Sequence, residues 1–241
     1  RSRGLGDVYK RQINKLRSEN ENLKKENNQL KKRINAPTNR GEQITSQQLK
    51  EIMTTLKNDS IISMYSLYDD LVIYDLKCNK NRQIDHLAIT NKGIFMVESK
   101  YWKGDIYYNF SGDDLKKYNM SGLEKYIYDA ENKSYKTFIL DSDDDVLHFN
   151  TYGHPYIQTM TSATFLQKTL NLPFINPIVY FNYQGDYNVY IGNEDKYVGC
   201  VYNKEMLLDF IKSKINSPKN KKNMNETIFN NYCKIIENHI K

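Results

Sequence analysis

Apolar residues recur at different spacings along this chain, and each spacing predicts its own kind of element. Between residues 13 and 34 the spacing is heptad, with Leu16, Leu23 and Leu30 at d and Ile13, Asn20, Asn27 and Ile34 at a. Glu19 and Glu26 fall at g and Lys24 and Lys31 at the following e positions, which suits a parallel two-stranded coiled coil with Asn fixing its register. Ala36-Pro37-Thr38-Asn39 breaks that helix and begins a linker over residues 37–40. From Glu42 to about Lys57 the period becomes helical, with Ile44, Leu49, Ile52, Met53 and Leu56 on one stripe. Leu71-Val72-Ile73-Tyr74-Asp75-Leu76 reads as a first strand. Residues 83–90 and 94–100 read as a second and a third, joined at Asn91-Lys92-Gly93 in an antiparallel hairpin whose Gly93 takes the left-handed conformation.

The second half begins with a tyrosine-rich insertion over about residues 106–150. Its acidic cluster at residues 141–145 lacks the alternating ligands, Gly and closing Glu of a calcium loop and reads as a solvated turn. His154-Pro155 then opens a helix through about Leu170, with Ile157, Met160, Thr161, Thr164, Phe165 and Leu166 inward. Pro177-Ile178-Val179-Tyr180-Phe181 is a continuous apolar run, as expected of a buried strand. Residues 187–191 and 197–202 read as added edge strands, and 204–215 and 226–240 as terminal helices. Between those helices, residues 217–222 form a basic, solvated loop. The pattern predicts a mixed α/β domain over residues 41–216 in the order helix, three-stranded antiparallel meander, helix, strand. It is preceded by a coiled-coil helix over 13–36 and followed by the basic loop and helix of 217–241.

Composition changes this picture little. The chain has 241 residues, with 35 Lys+Arg against 29 Asp+Glu and a net charge of +6, a balance that permits nucleic-acid binding without demanding it. Cys78, Cys200 and Cys233 lie far apart with no Cys-x-x-Cys spacing, which points away from a zinc site or a disulfide framework and toward a reducing, cytoplasmic setting. No apolar run reaches the length of a membrane span. Residues 1–12 are set aside from fold reasoning, because the stretch from Ser2 to Gln12 resembles a translated transposase-type sequencing adapter. The natural N-terminus, with any membrane anchor it carries, is then expected upstream.

The chemistry concentrates in the hairpin. Side chains alternate along a strand, so Met96, Glu98 and Lys100 share one face while Phe95, Val97 and Ser99 share the other. A tight turn sets Asp85 opposite Glu98, within one position if Gly93 forms a bulge. Two carboxylates and an ammonium then converge at the end of a buried hairpin, and a divalent cation held by hard oxygens is the economical partner for such a cluster. His86, beside Asp85, is expected on the opposite sheet face as a packed core histidine. Tyr101 and Trp102 are expected to pack rather than to stack on bases.

The string Gln83-Ile84-Asp85-His86, Gly93-Ile94-Phe95, Val97-Glu98-Ser99-Lys100 and Gly104-Asp105-Ile106 resembles the nuclease-related domain (NERD) branch of the PD-(D/E)xK nuclease superfamily. That resemblance spans roughly residues 41–183. It implies a restriction-endonuclease-like core and a Mg²⁺-dependent nuclease, with Mn²⁺ as a substitute, whose metal is held by Asp85, Glu98 and the Ser99 carbonyl, with Lys100 on the attacking water or the phosphate. Gly41-Glu42 matches the pair that opens the family's first core helix, which makes Glu42 a further acidic candidate beside a plain first-turn acid. Pro155 and Gln158 match an Asn-Pro-x-x-Gln element from which His154 departs, and Gln158 is the candidate to orient catalytic groups or hold phosphate. DNA is the expected substrate and a homodimer through residues 13–34 the expected assembly. Two alternatives have different signatures: a catalytically silent module that binds nucleic acid or protein, and a coiled coil that is itself the functional element, with the globular part as scaffold.

Overall fold

A computed structural model describes residues 40–75, 80–143, 146–193, 197–217 and 223–239. The expected adapter-like stretch, coiled coil and linker before residue 40, Cys78 and most of the basic loop lie outside the described residues. The described chain opens with α1 (Arg40–Asn58), whose Glu42 and Lys57 sit at the ends where the helix dipole favours each charge. Leu49, Ile52, Met53 and Leu56 are buried as the stripe predicts. Near its start, however, the buried positions are Gly41, Glu42, Thr45 and Ser46, and Ile44 is only half-buried. Those first two turns pack over polar groups that need hydrogen-bond partners.

The meander follows as β1 (Tyr65–Asp75), β2 (Lys80–Thr90) and β3 (Gly93–Lys100), paired antiparallel in that order. The first strand begins at Tyr65, well before the expected Leu71. The turn is closed by side chains: Lys92 N donates to Thr90 Oγ1 at 3.1 Å, and the same hydroxyl donates to the Gly93 carbonyl at 2.9 Å. Asn91 and Lys92 keep negative φ, and Gly93 takes φ +154°, at the extended edge of the positive range rather than in the left-handed helical well. Asn91 Oδ1 accepts from Ser63 N at 2.9 Å, which pins the turn to the segment before β1.

The expected insertion is built, in order, from β4 (Asp105–Tyr108), α2 (Gly112–Lys117), α3 (Glu124–Ile127), β5 (Tyr128–Asp129), β6 (Ser134–Tyr135), β7 (Phe138–Asp143) and β8 (Val146–Thr151). The acidic stretch is therefore part strand, and its Asp141 pairs with Lys103 at 3.3 Å. The chain continues through α4 (Pro155–Thr169), β9 (Ile175–Phe181), β10 (Val189–Ile191), β11 (Gly199–Val201), α5 (Lys204–Ile215) and α6 (Glu226–Glu237).

Two larger sheets result. The first has the order β1-β2-β3-β9-β11, with β9 parallel to both β3 and β11. The second has the order β10-β4-β7-β8. The strand expected at 187–191 is an edge strand as read, at the edge of the second sheet, where it pairs parallel with β4. On one face of the first sheet, Ala88, Phe95, Val97, Ile178 and Tyr180 pack with α1 and α5; on the other, Leu87, Ile89, Ile94 and Met96 pack with α4 and α6. The β3 alternation is as expected.

The inward face of α4 is Thr159, Ser162, Ala163, Phe165 and Leu166, while Thr161 is exposed and Ile157 only half-buried. Small residues at Ser162 and Ala163 let the helix lie close on the parallel strands. Beyond it, Val179 and Phe181 of β9 pack with Ile106, Tyr108 and Ile139 of the second sheet, so β9 is a seam between the halves. Among the described residues no helix is long and apolar enough to cross a membrane.

Candidate active site

The ends of β2 and β3 carry the site. The register His86↔Val97 brings Asp85 level with the next peptide of β3, and Ser99 N donates to Asp85 Oδ2 at 2.8 Å. Glu98 Oε1 accepts from Lys100 Nζ at 2.6 Å and from Gln158 Nε2, reaching over from α4, also at 2.6 Å. Asp85, Glu98, Ser99, Lys100 and Gln158 are therefore gathered by direct bonds. Glu98 is 3% exposed. Burial, and then the neighbouring Glu98 charge, push the Asp85 carboxyl up to about 7 against the opposing pull of the Ser99 N–H, Lys100 and His86. Two carboxylates have been brought out of water side by side.

The other face of β3 is held by a chain of polar side chains. Ser99 Oγ donates to Thr45 Oγ1 at 2.9 Å and lies 3.0 Å from His86 Nε2, while His86 Nδ1 lies 2.7 Å from Asp69 Oδ1. Ser46 donates to the second Asp69 oxygen at 2.6 Å. Asn182, just past β9, donates through Nδ2 to Thr45 Oγ1 at 2.7 Å and to the Gly41 carbonyl at 2.6 Å, and its amide N–H donates to the Lys100 carbonyl at 3.1 Å. Burial raises Asp69, but hydrogen bonds from His86 and Ser46 outweigh it and hold the carboxyl below its ordinary range. His86 is 1% exposed and serves as the core histidine its position predicts. The chain links α1, β1, β2, β3 and the end of β9, while α4 joins the site through the Gln158–Glu98 bond.

Glu42 is buried in the first turn of α1, one turn before Thr45 and on the same helix face. Trp102 stacks on Tyr152 at 4.2 Å and leans on Phe181, and Tyr101 packs edge-on against Tyr183 at 5.1 Å. His154 engages Asp129 at 2.9 Å and Ser134 at 3.2 Å, away from the carboxylates. Thr45, Ser46, Asp69 and Asn182 are the functional positions that sequence reasoning misses. The only trace they leave is polar residues at buried phases of α1 and an amide directly after an all-apolar strand.

Among the described residues no group of three His, Cys, Asp or Glu side chains converges as a ready-made metal cluster. The donor set still suits a hard divalent cation. Each carboxylate has one oxygen held by the protein, while Asp85 Oδ1 and Glu98 Oε2 accept no hydrogen bond from a described residue.

An α/β domain with paired carboxylates and a lysine at the end of a central hairpin is the arrangement of a nuclease-like protein. Residues 37–182 match the family model of the nuclease-related domain, and the chain belongs to that family, NERD. No curated protein and no solved structure matches the chain.

Proposed function

We propose that this chain is a metal-dependent nuclease that hydrolyses phosphodiester bonds of DNA, on a restriction-endonuclease-like core of helix, meander, helix and strand. The observation that carries the reading is the pairing of half-buried Asp85 with buried Glu98, two carboxylates each fixed through one oxygen and open at the other. Asp85, Glu98 and the Ser99 carbonyl are the residues that would hold Mg²⁺ or Mn²⁺. When bound, the ion supplies charge neutralisation at the scissile phosphate and a more acidic attacking water.

The protein groups do the rest. Gln158 and Lys100 hold Glu98 Oε1 so that its free oxygen keeps one orientation, and the Ser99 N–H does the same for Asp85. The Lys100 ammonium is placed to stabilise the charge that develops on the phosphate, where a preorganised cation is worth more than in water. Glu42 adds negative charge at the start of α1. Pairing through residues 13–34 would present two such centres in one dimer, in a reducing, cytoplasmic setting that suits three dispersed cysteines.

The test is cleavage of circular single- and double-stranded DNA with Mg²⁺, with Mn²⁺ and with chelator, beside Asp85→Ala and Lys100→Ala. Metal-dependent nicking that falls by about a hundredfold or more in both variants is the expected result. One observation favours a second reading, a catalytically silent module that binds nucleic acid or protein: Lys100 itself neutralises Glu98, and among the described residues no third metal-binding side chain joins the pair. No cleavage, together with no calorimetric metal binding that depends on Asp85 and Glu98, would select that reading.

A further inference from the structure

Beside the second sheet lies a cavity of about 300 Å³ whose lining includes none of the residues of the β2–β3 centre. Its lining includes one lysine, Lys133, and no Asp or Glu, while Asp114 and Asp129 stand behind it, bonded to the lining residues Ser111 and His154. Lys133 is exposed and makes no ion pair with a described residue. The first turn of α4, a helix of 15 residues, opens onto the same space. No side chain caps that terminus, because the imidazole of His154 at the N-cap is engaged by Asp129 and Ser134. The Ile157 amide donates to no described residue, and the helix dipole favours an anion at this end.

An open helix terminus is ordinary, and Thr137 is what makes this one a site. Thr137 is 2% exposed and lines the cavity, yet its hydroxyl makes no hydrogen bond with a described residue. It is not among the buried polar atoms sealed from solvent, so the little surface it keeps faces the cavity. A nearly buried hydroxyl without a partner is costly, and a ligand oxygen would satisfy it. Phe110 and Tyr156 give the same space an aromatic wall.

We propose that this cavity binds a nucleoside monophosphate unit, its phosphate on the Ile157 amide, Lys133 and the Thr137 hydroxyl, and its base against Phe110 and Tyr156. The donors on the lining, an amide, a hydroxyl and the Lys133 ammonium, suit a phosphate, the aromatic wall selects a base, and the volume lies at the small end of ligand pockets. Tyr156 and Ile157 line the cavity while the next residue, Gln158, holds Glu98, so ligand and carboxylate centre share one helical turn. A free nucleotide and the phosphorylated end of a DNA strand carry the same chemistry. The proposal stands on the cavity alone and does not require hydrolysis.

The test is calorimetry on the full chain in chelator, with dAMP, deoxyadenosine, inorganic phosphate, and a short single strand bearing a 5′-phosphate or a 5′-hydroxyl. We expect dAMP to bind, deoxyadenosine to bind far more weakly, and Lys133→Ala and Thr137→Val each to weaken dAMP roughly tenfold. Asp85→Ala is expected to leave dAMP binding unchanged. Competition with dAMP by the 5′-phosphorylated strand alone identifies a DNA end, and binding of dAMP without such competition identifies a free nucleotide; both support the site. Absence of dAMP binding by folded protein overturns it. So does equal affinity for deoxyadenosine, for inorganic phosphate alone, or for dAMP after Lys133→Ala, as does loss of dAMP binding in Asp85→Ala. Should Thr137→Val fail to fold, Lys133→Ala at its exposed position decides the matter. DNA cleavage without dAMP binding removes this proposal and leaves the nuclease; dAMP binding without cleavage does the reverse.

Discussion

The first sheet buries aliphatic strands between helices on both faces, whereas the second stacks tyrosine and phenylalanine rings on one side and leaves most of β8 exposed. In the first, the difficult residues are Asp69, His86, Asp85 and Glu98, each bonded to a neighbour. In the second, Tyr107 stacks on Phe138 at 4.6 Å and on Tyr190 at 4.8 Å, and cohesion rests on rings. Aliphatic burial leaves no slack, so polar groups placed there are held in fixed geometry. Aromatic stacking tolerates more variation, and the cavity described above lies beside the second sheet.

The comparison breaks most visibly at Phe138. Phe138→Ala is expected to destabilise the protein by about 3–5 kcal/mol, read as the denaturation midpoint. Hydrogen exchange should show protection lost first in β4, β7 and β8 while β2 and β3 keep theirs. Equal loss in both sheets would mean that β9 welds them into one cooperative unit.

A smaller effect is expected at Asp85. Its folded carboxyl titrates at about 7 against an ordinary 3.8, so the folded state binds the proton more tightly than the unfolded one. Stability of the metal-free protein should fall as pH rises from about 4 to about 7 and then level off. Asp85→Asn, in chelator, should therefore stabilise the protein above pH 7 by on the order of a few kcal/mol, read as a higher melting temperature, with the gain fading toward pH 4. Added Mg²⁺ should raise the melting temperature of the parent protein and not of this variant, and cleavage by the parent should increase through the same pH window. A variant that melts lower than its parent at pH 8 in chelator would show that the Asp85 charge is already compensated.

The smallest effect should come from Gln158→Ala. Gln158 is an exposed residue whose amide reaches Glu98, so its loss should cost about tenfold in cleavage with no change in melting temperature. A change in melting with no change in cleavage would make it a packing residue.

Sequence legibility follows the same division. The hairpin and the helix ending at Asn58 were readable because apolar residues recur there with one clear period, and the strand ending at Phe181 because it is a continuous apolar run. That Asp85, Glu98 and Lys100 come together was legible because strand alternation and the hairpin register set them at one end of β2 and β3. The second sheet was not, since tyrosine serves on a buried stack, an edge and a surface alike and so carries no face; Tyr107 is buried while Tyr126 is 57% exposed. The inward face of α4 was misread toward Ile157 and Thr161 because Thr159 and Ser162, though polar, are the small residues that close approach to the strands requires. Thr45, Asp69 and Asn182 were missed for a different reason: they meet through partners distant in sequence, and no local spacing encodes such a meeting.

Asn182 has a consequence for the order in which the molecule comes into being. Asp85, Glu98 and Lys100 have all left the ribosome once the first hairpin is made, and that hairpin can form from local contacts. Gln158 and the strand that delivers Asn182 to the Lys100 carbonyl arrive much later, and parallel pairing of β9 with β3 is a slow, non-local event. A nascent or truncated chain thus possesses every charged group of the centre without their arrangement. The arrangement is completed only after β9 has been made and has paired with β3.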